Sequence, residues 1–533
     1  MTIRSRDRRL APALLPLALL VCSLAYAGDG SHGSASETAS PGRVLGKLDF
    51  PTSTRSAEAQ AAFEQGMLLL HLFEYPFAEV AFQRAQTIDP GFAMAYWGEA
   101  MVHNYPVWDE QAPDKARAVL NKFAPTPEAR AKKISPAKER DYFESLEILY
   151  GPAEGRAPKV ERDRAYRLFL EKMAERYADD HEVRLFHALA IMGAHAGVRD
   201  IPDYMESAAL SQSVFYANRE HPGAAHYLIH GVDDPIHAPL GLEAARALYV
   251  MAPDAGHSLH MTSHIFNALG MWDDVVKANI SAVRVANEMR AERGEAPSSV
   301  GHYNFWLLYG LLQQGRRSDA KALLTAAYEE TRAIGKPPIA RMILDPDNDQ
   351  VGSMIQMWAR YLLETGGKDA EVAQWQFNLS DAFDPNLNVL YVNAMLAQNP
   401  ADITRHLARF RELKTELREN LMALPEQVPL NLLYLDRLDV IEQQLQASLA
   451  RAQGNGAAAL EYAREASRLE GEMPYSFGPP FVDYPSAQLV GDLALDLGNY
   501  EVAAAAFSEQ LKRSRRKTQA VDGLARAEKA SGQ

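Results

Sequence analysis

Cysteine is all but missing from this chain: 533 residues contain one, Cys22, close to the N-terminus. Beyond the leader there are therefore neither disulfides nor thiolate metal sites. Basic stretches are scarce as well, with 55 Lys+Arg against 69 Asp+Glu and a formal charge of −14. Binding to a phosphate backbone needs clustered Lys and Arg, so nucleic acid is excluded as a partner. The one basic run, Lys512, Arg513, Arg515, Arg516 and Lys517, is read as decoration of the last helix, complementing its C-terminal dipole. No apolar segment after the leader is long enough to span a membrane. P-loop, dinucleotide fingerprint, GxSxG elbow and any nucleotide or haem signature are missing, and His181-Glu182 lacks the second histidine of HExxH. Asp345, Asp347 and Asp349 imitate the start of a calcium loop, but Gln350 replaces the required Gly and Gln356 the bidentate Glu, so a turn is expected there.

The N-terminus does carry an address. Arg4, Arg6, Arg8 and Arg9 precede the apolar run Leu14 to Leu24, and Ala25, Tyr26 and Ala27 form the small-x-small pattern of a signal-peptidase site. Residues 1–27 are read as a signal peptide and the protein as exported, periplasmic or secreted, with no membrane span left after cleavage. Bulky Val21 before Cys22 argues against a lipoprotein signal. Residues 28–56 begin rich in Gly and Ser and poor in large apolar side chains, so a flexible linker is expected.

From Ala57 onward helix formers dominate and apolar residues recur three and four apart, which predicts an all-α fold. Ala78, Phe82, Ala85 and Pro90, in the stretch Gly66 to Gly98, stand at the offsets of a tetratricopeptide repeat, where small residues let two helices approach. The frame recurs at Gly270, Trp272 and Asp273; at Gly315, Ala320, Leu324 and Ala327; at Gly454, Ala459 and Ala466; and at Gly491, Gly498, Tyr500, Ala503 and Phe507. The chain thus resembles the tetratricopeptide (TPR) superfamily. The resemblance implies a right-handed superhelical solenoid of antiparallel helix hairpins, which stack because none can bury its apolar face alone. Residues 57–334 are expected to form an N-terminal array, 335–439 an irregular helical connector entered through the proline-rich break at Gly335 to Asp349, and 440–533 C-terminal repeats. Between Gly471 and Pro485 the Pro- and aromatic-rich GEMPYSFGPPFVDYP cannot be a regular helix and is expected to cross the array surface. Tyr96, Trp97, Tyr105 and Trp108 could stack on a peptide or sugar, but their helical spacing suits packing between repeats.

Histidines are concentrated. His221, His226, His230, His237, His257, His260 and His264 fall within 44 residues, where even spreading would give about one. His226/His230 and His260/His264 are HxxxH pairs, one helical turn apart, so each pair projects from one face and can chelate. Each member of the second pair lies 34 residues, one TPR period, after its counterpart. In the TPR family, positions 2, 5, 9, 12 and 13 of the first helix line the concave groove. The resemblance implies that His226 and His260 (position 5), His230 and His264 (position 9) and His257 and His302 (position 2) face it. Asp233, Asp234 and Asn267 at positions 12 and 13 would join them, with Tyr309 in the repeat that starts near Gly301. Packed helices sit ~8–10 Å apart, so imidazoles of adjacent hairpins could share an ion in a four-histidine or His/Asp site. Imidazole without thiolate suits Zn, Cu, Ni or Fe, and added carboxylate favours Fe or Mn. Hydrogen-bonded structural histidines and a pH switch are the alternatives.

HPGAAHYLIHGVDDP and the later HSLHMTSHIFNALGMW, together with AMAYWGEAM at Ala93 to Met101, also resemble a narrower family of exported bacterial TPR proteins. That likeness implies fold and motifs and no reaction. The functional expectation is a binding or scaffold protein whose His-lined groove takes a protein or peptide and holds a transition metal. A metal-dependent enzyme on the same scaffold, with Asp233 or Asp234 as ligand or base, and a plain interaction module with structural histidines are the competing readings.

Overall fold

The computed structural model describes residues 42–532, apart from 196, 333, 335–349, 380–381 and 425–428. The segment read as a signal peptide, the first part of the expected linker, the proline-rich break and the calcium-like aspartates lie outside the described residues. Among those described, twenty-four α-helices and one two-stranded ribbon, Asn104–Tyr105 with Glu110–Gln111, make an all-α solenoid in which each helix packs chiefly on its chain neighbours. None is long and apolar enough to cross a membrane.

The repeat packing follows from a large side chain seated on glycine. Phe82, fully buried, lies so close to Gly66 and Gly98 that a Cβ on either would sit 2.3–2.6 Å from its ring. Phe507 repeats the arrangement between Gly491 and Gly523, with the same spacing of sixteen residues on each side. The turn between the two helices of a hairpin needs a left-handed residue, and Gly270, Gly315, Gly454 and Gly498 supply it with φ of 68–77°. In the first hairpin the equivalent of Gly498 is Phe73, which holds φ 58° despite its side chain. That strain is of order 1 kcal/mol, and it puts an aromatic ring where other hairpins have none.

Three contiguous apolar cores run along the array, from Leu45 to Met289, from Val276 to Val482 and from Ala447 to Ala527. Two sequence expectations change. Residues 42–56 are a strap rather than a flexible linker. Leu45 and Phe50 are buried, Phe50 against Phe63, Trp97 and Tyr142, while Arg43 bonds the Asp254 carbonyl and Lys47 N–H the Glu220 carbonyl. Two apolar anchors suffice to repay the ordering of a short segment that average composition marks as loose. The region expected to be an irregular connector holds regular helices, Gln350–Thr365, Phe383–Leu396, Pro400–Met422 and Pro429–Ala452, which form the middle core.

The last repeats fold back on the middle of the chain. Trp272 Nε1 donates to the Arg516 carbonyl (3.0 Å), Thr518 N–H to Gln313 Oε1 (2.9 Å), and Lys517 Nζ pairs with Glu364 (2.5 Å). Lys517 is therefore buried and does not decorate a helix end, unlike Lys512 and Arg513 at the C-terminus of Tyr500–Arg513. Trp97 packs on Tyr142 and Phe186, in agreement with the packing role. Because Phe82 and Phe507 fill equivalent glycine-lined seats, replacing either by Ala is expected to lower stability by about 3–5 kcal/mol. Urea unfolding followed by circular dichroism measures it.

Candidate metal centre

Two helices carry the histidine pairs, Pro222–Val232 and Gly256–Ala268, and a third, His302–Gln313, begins with His302. His226, His230, His257, His260 and His264 are all buried, at most 4% exposed, and His302 is partly buried. Their rings form a closed circuit: 4.8 Å between the centroids of His226 and His230, 6.0 Å on to His264, 5.0 Å to His260, 6.2 Å to His257 and 5.1 Å back to His226. His302 adjoins His260 at 4.3 Å. Ligand atoms converge in two triads, His226/His230/His257 and His260/His264/His302, each with its atoms within 4.8 Å of one another. The four-histidine grouping of the two HxxxH pairs is thereby corrected. Each pair takes its third partner from position 2 of the following first helix.

The hydrogen bonds at the other ring nitrogens settle the tautomers. His226 Nδ1 lies 2.6 Å from the His71 carbonyl, which can only accept, so Nδ1 carries the proton. His260 Nδ1 faces Asn279 Oδ1 at 2.8 Å; the Asn279 amide nitrogen donates to the Val275 carbonyl, which fixes the amide orientation and makes His260 the donor. His264 Nδ1 donates to Asp233 Oδ2 at 2.8 Å, while the Arg199 guanidinium holds the other Asp233 oxygen. With Nδ1 protonated, the Nε2 atoms of His226, His260 and His264 are bare lone pairs. His260 and His264 point theirs at each other across 3.1 Å. The buried Nε2 atoms of His226, His230 and His257 have no hydrogen-bond partner.

Burial, reinforced by neighbouring imidazoles, keeps these rings neutral. It drives His226 and His260 down to about 3 and holds His230, His257, His264 and His302 well below the ordinary histidine value. Aromatic rings seal the cluster. Phe73 lies 4.4 Å from His226 and 5.4 Å from His257, Trp108 5.7 Å from His257, and His264 stacks on both Trp306 (4.4 Å) and Phe477 (5.2 Å). Phe477 belongs to the Pro- and aromatic-rich segment, which crosses the array at this point. The imidazoles therefore line a closed interior rather than an open groove, because aromatic side chains from both ends of the chain cover them.

The other expected residues are placed differently. Asp233 orients His264 from outside the triads. Asp234 closes the turn after Val232, accepting from the Ile236 and His237 backbone and from His237 Nδ1. Asn267 lies a turn beyond His264 with a buried Oδ1 that has no partner. Tyr309 is remote from the imidazoles, packed on Trp272 and Arg360. His221 belongs to a neighbouring network with His71 and Glu182. His71 Nε2 and His221 Nε2 donate to the two Glu182 oxygens (2.7 and 3.0 Å), and their Nδ1 atoms accept from Tyr227 OH and Ala224 N–H. Burial opposes ionisation of Glu182, but the two imidazoles outweigh it and hold its carboxyl far below the usual range. Every nitrogen there is already used, so this triad is structural. It also anchors the His71 carbonyl that orients His226.

Asn279 and Phe73 escaped the sequence reading, although a signal exists for both. Counted from the turn residue, Asn279 occupies the position of Phe82, Leu324 and Phe507, nine residues on, and Phe73 occupies that of the turn glycine. A polar side chain in an apolar seat and a bulky one in a glycine seat are departures from the repeat that packing alone does not call for.

No family model and no curated protein matches the chain. Among solved structures it is similar to the APC/C hetero-tetramer Cut9-Hcn1 (10% identity, TM-score 0.34, covering 90% of this chain and 78% of that one). It is also similar to yeast Tom70 (10%, 0.29, 90% of each) and to the human IFIT1 dimer with m7Gppp-AAAA (11%, 0.33, 89% and 100%). Likenesses at this level bear on neither ligand nor chemistry. By its own hairpin packing, with phenylalanine seated between glycines of the two flanking helices and with glycine turns, the chain is an α-solenoid of stacked helical hairpins.

Proposed function

We propose that this is an exported TPR-type binding protein whose interior holds a transition-metal centre of two three-histidine sites. The observation that carries the reading is the pair of facing lone pairs on His260 and His264 at 3.1 Å, with both protons held on the far side of the rings. Two neutral acceptors at that distance repel. A cation between them turns the contact attractive, and nitrogens bound to one ion at ~2.0–2.1 Å lie about 3–3.4 Å apart. The partnerless Nε2 atoms of His226, His230 and His257 ask for the same partner, since each buried unmet polar group costs about 1–3 kcal/mol. Nitrogen-only triads suit Cu, Zn or Ni better than Mn, because Asp233 acts behind His264 and not in a triad. A protein or peptide partner would engage the outer solenoid surface, because aromatic rings close the histidine face.

Three nitrogens per ion leave a coordination position open, which supports a second reading: Lewis-acid or redox chemistry at the centre. An exchangeable solvent ligand or a spectrum that responds to azide favours it.

Elemental analysis of protein purified from the exported compartment is expected to give two transition-metal ions per chain. His257→Ala removes one triad and leaves a single ion, and His226→Ala with His260→Ala removes a ligand from each and abolishes metal while helical content is kept. Absence of stoichiometric metal in the unaltered protein sinks the reading.

Asn279→Leu restores the apolar repeat seat but frees His260 Nδ1, so metal affinity is expected to fall roughly 10–100-fold with little loss of helix. Competition with a chromophoric chelator measures it.

In the metal-free protein the unfolded imidazoles take up protons near pH 6.5 that the folded rings refuse until about pH 3. The stability is complete above pH 6.5 and declines as pH falls toward 3, by ~1.4 kcal/mol per pH unit for each such histidine. The double variant His226→Ala/His260→Ala is expected to show a shallower slope in urea midpoints across that range.

A further inference from the structure

Beyond the histidines, across Phe477, lies a cavity of about 70 Å³, where a single water needs ~10–15 Å³. Arg199, Arg360 and Arg437 line it, against two acidic side chains, Asp384 and Asp483. All three guanidinium groups are nine-tenths or more buried. The acids are already engaged. Asp483 accepts from Arg360 (2.7 Å) and Arg437 (3.1 Å), and Asp384 accepts from Tyr434, Asn388 and Gln356.

Donors are left over. Arg360 uses its terminal nitrogens on the Asp483 and Pro480 carbonyls, and Arg437 uses Nε on the Phe481 carbonyl and Nη2 on Asn388. Arg360 Nε and Arg437 Nη1 remain buried without a hydrogen bond, the latter 3.7 Å from Asp384. A buried cationic N–H with nothing to donate to is expensive, more so than a neutral one. The remaining lining is mixed: Leu430, Leu433 and Phe481 supply an apolar wall, beside Gln356, Tyr204, Tyr475 and Ser476.

We propose that this cavity binds a small organic acid, its carboxylate received by Arg360 and Arg437 and its carbon body by the apolar wall. Carboxylate geometry matches the planar donor edges of guanidinium. A bare phosphate would satisfy the same donors and leave the apolar wall facing solvent, so the organic body decides between them. The site stands independently of the metal reading: neither Arg360 nor Arg437 touches an imidazole, and the residues common to both are Phe477 and Arg199, which holds Asp233 and the His230 carbonyl.

The test is calorimetric titration of the full-length protein, with and without metal, using acetate, benzoate, succinate and inorganic phosphate. One carboxylate is expected to bind with 1:1 stoichiometry in both forms. Leu433→Phe, which fills the cavity and leaves all three arginines in the sequence, is expected to weaken it roughly tenfold or more, about 1.4 kcal/mol, with the thermal midpoint held. Arg437→Lys loses the fork while keeping the charge and is expected to weaken binding similarly. Arg437 also holds Phe481, so Leu433→Phe remains informative where that variant fails to fold. Absence of binding by every carboxylate, binding by phosphate alone, or binding indifferent to Leu433→Phe overturns the proposal. Because the metal-free arm reads the cavity by itself, a failed metal centre and a failed acid site give different results.

Discussion

The interaction on which the centre depends is repulsive as it stands. Neutral imidazoles present lone pairs to one another inside a sealed volume, and three nitrogens on His226, His230 and His257 face no donor at all. Protonation does not relieve this near neutral pH, because burial suppresses the charged ring. Structural histidines behave otherwise, and the same molecule supplies the comparison. His71 and His221 use all four ring nitrogens, with Glu182 and Tyr227 among the partners. One cluster is saturated, and the other keeps ring nitrogens without a partner. That difference, and not burial or clustering, separates a polar core from a ligand set.

Much of the surrounding structure serves orientation. The His71 carbonyl, Asn279 and Asp233 each take one Nδ1 proton, and each is held in turn: His71 by Glu182, Asn279 by the Val275 carbonyl, Asp233 by Arg199. Two residues around the cluster break repeat rules at a cost. Asn279 gives up an apolar seat that Phe82 and Phe507 fill elsewhere, and Phe73 holds a left-handed backbone where glycine is usual, placing its ring on His226. Local rules broken at one place in an otherwise regular array mark a site shaped by something besides stability.

The helical hairpins were legible in the sequence because they rest on local pattern: glycine at the turn, small residues at the crossing, apolar residues three and four apart. Five of the six clustered imidazoles were legible as one group for the same reason, since a 34-residue register copies a side chain onto the next helix. Their division into triads was not, because it depends on how far one helix slides past the next, which no spacing within a helix encodes. His302 was read as a groove residue and stands as a third nitrogen. The strap at 42–56 was hidden because Leu45 and Phe50 are two apolar residues in a stretch judged by its average. Phe477 was out of reach altogether: its contact with His264 spans more than two hundred residues and rests on the solenoid closing upon itself.

That closure bears on how the centre forms. In a repeat array each hairpin ordinarily answers only to its neighbours, so folding can start anywhere and spread. Here the triads draw on three consecutive repeats, the first hairpin contributes the His71 carbonyl and Phe73, and the segment after Glu472 contributes Phe477. An ion that binds only the closed arrangement is linked to all of those contacts at once, and its binding free energy adds to the stability of the closed form. It converts a chain of pairwise interfaces into a unit that opens cooperatively. The strap along Asp254 and Glu220 and the Lys517–Glu364 pair act in the same sense from outside, holding together parts of the array that sequence separation keeps apart. The histidine cluster at the meeting point of both ends, the proposed metal centre, is therefore also the place where the solenoid stops being one-dimensional.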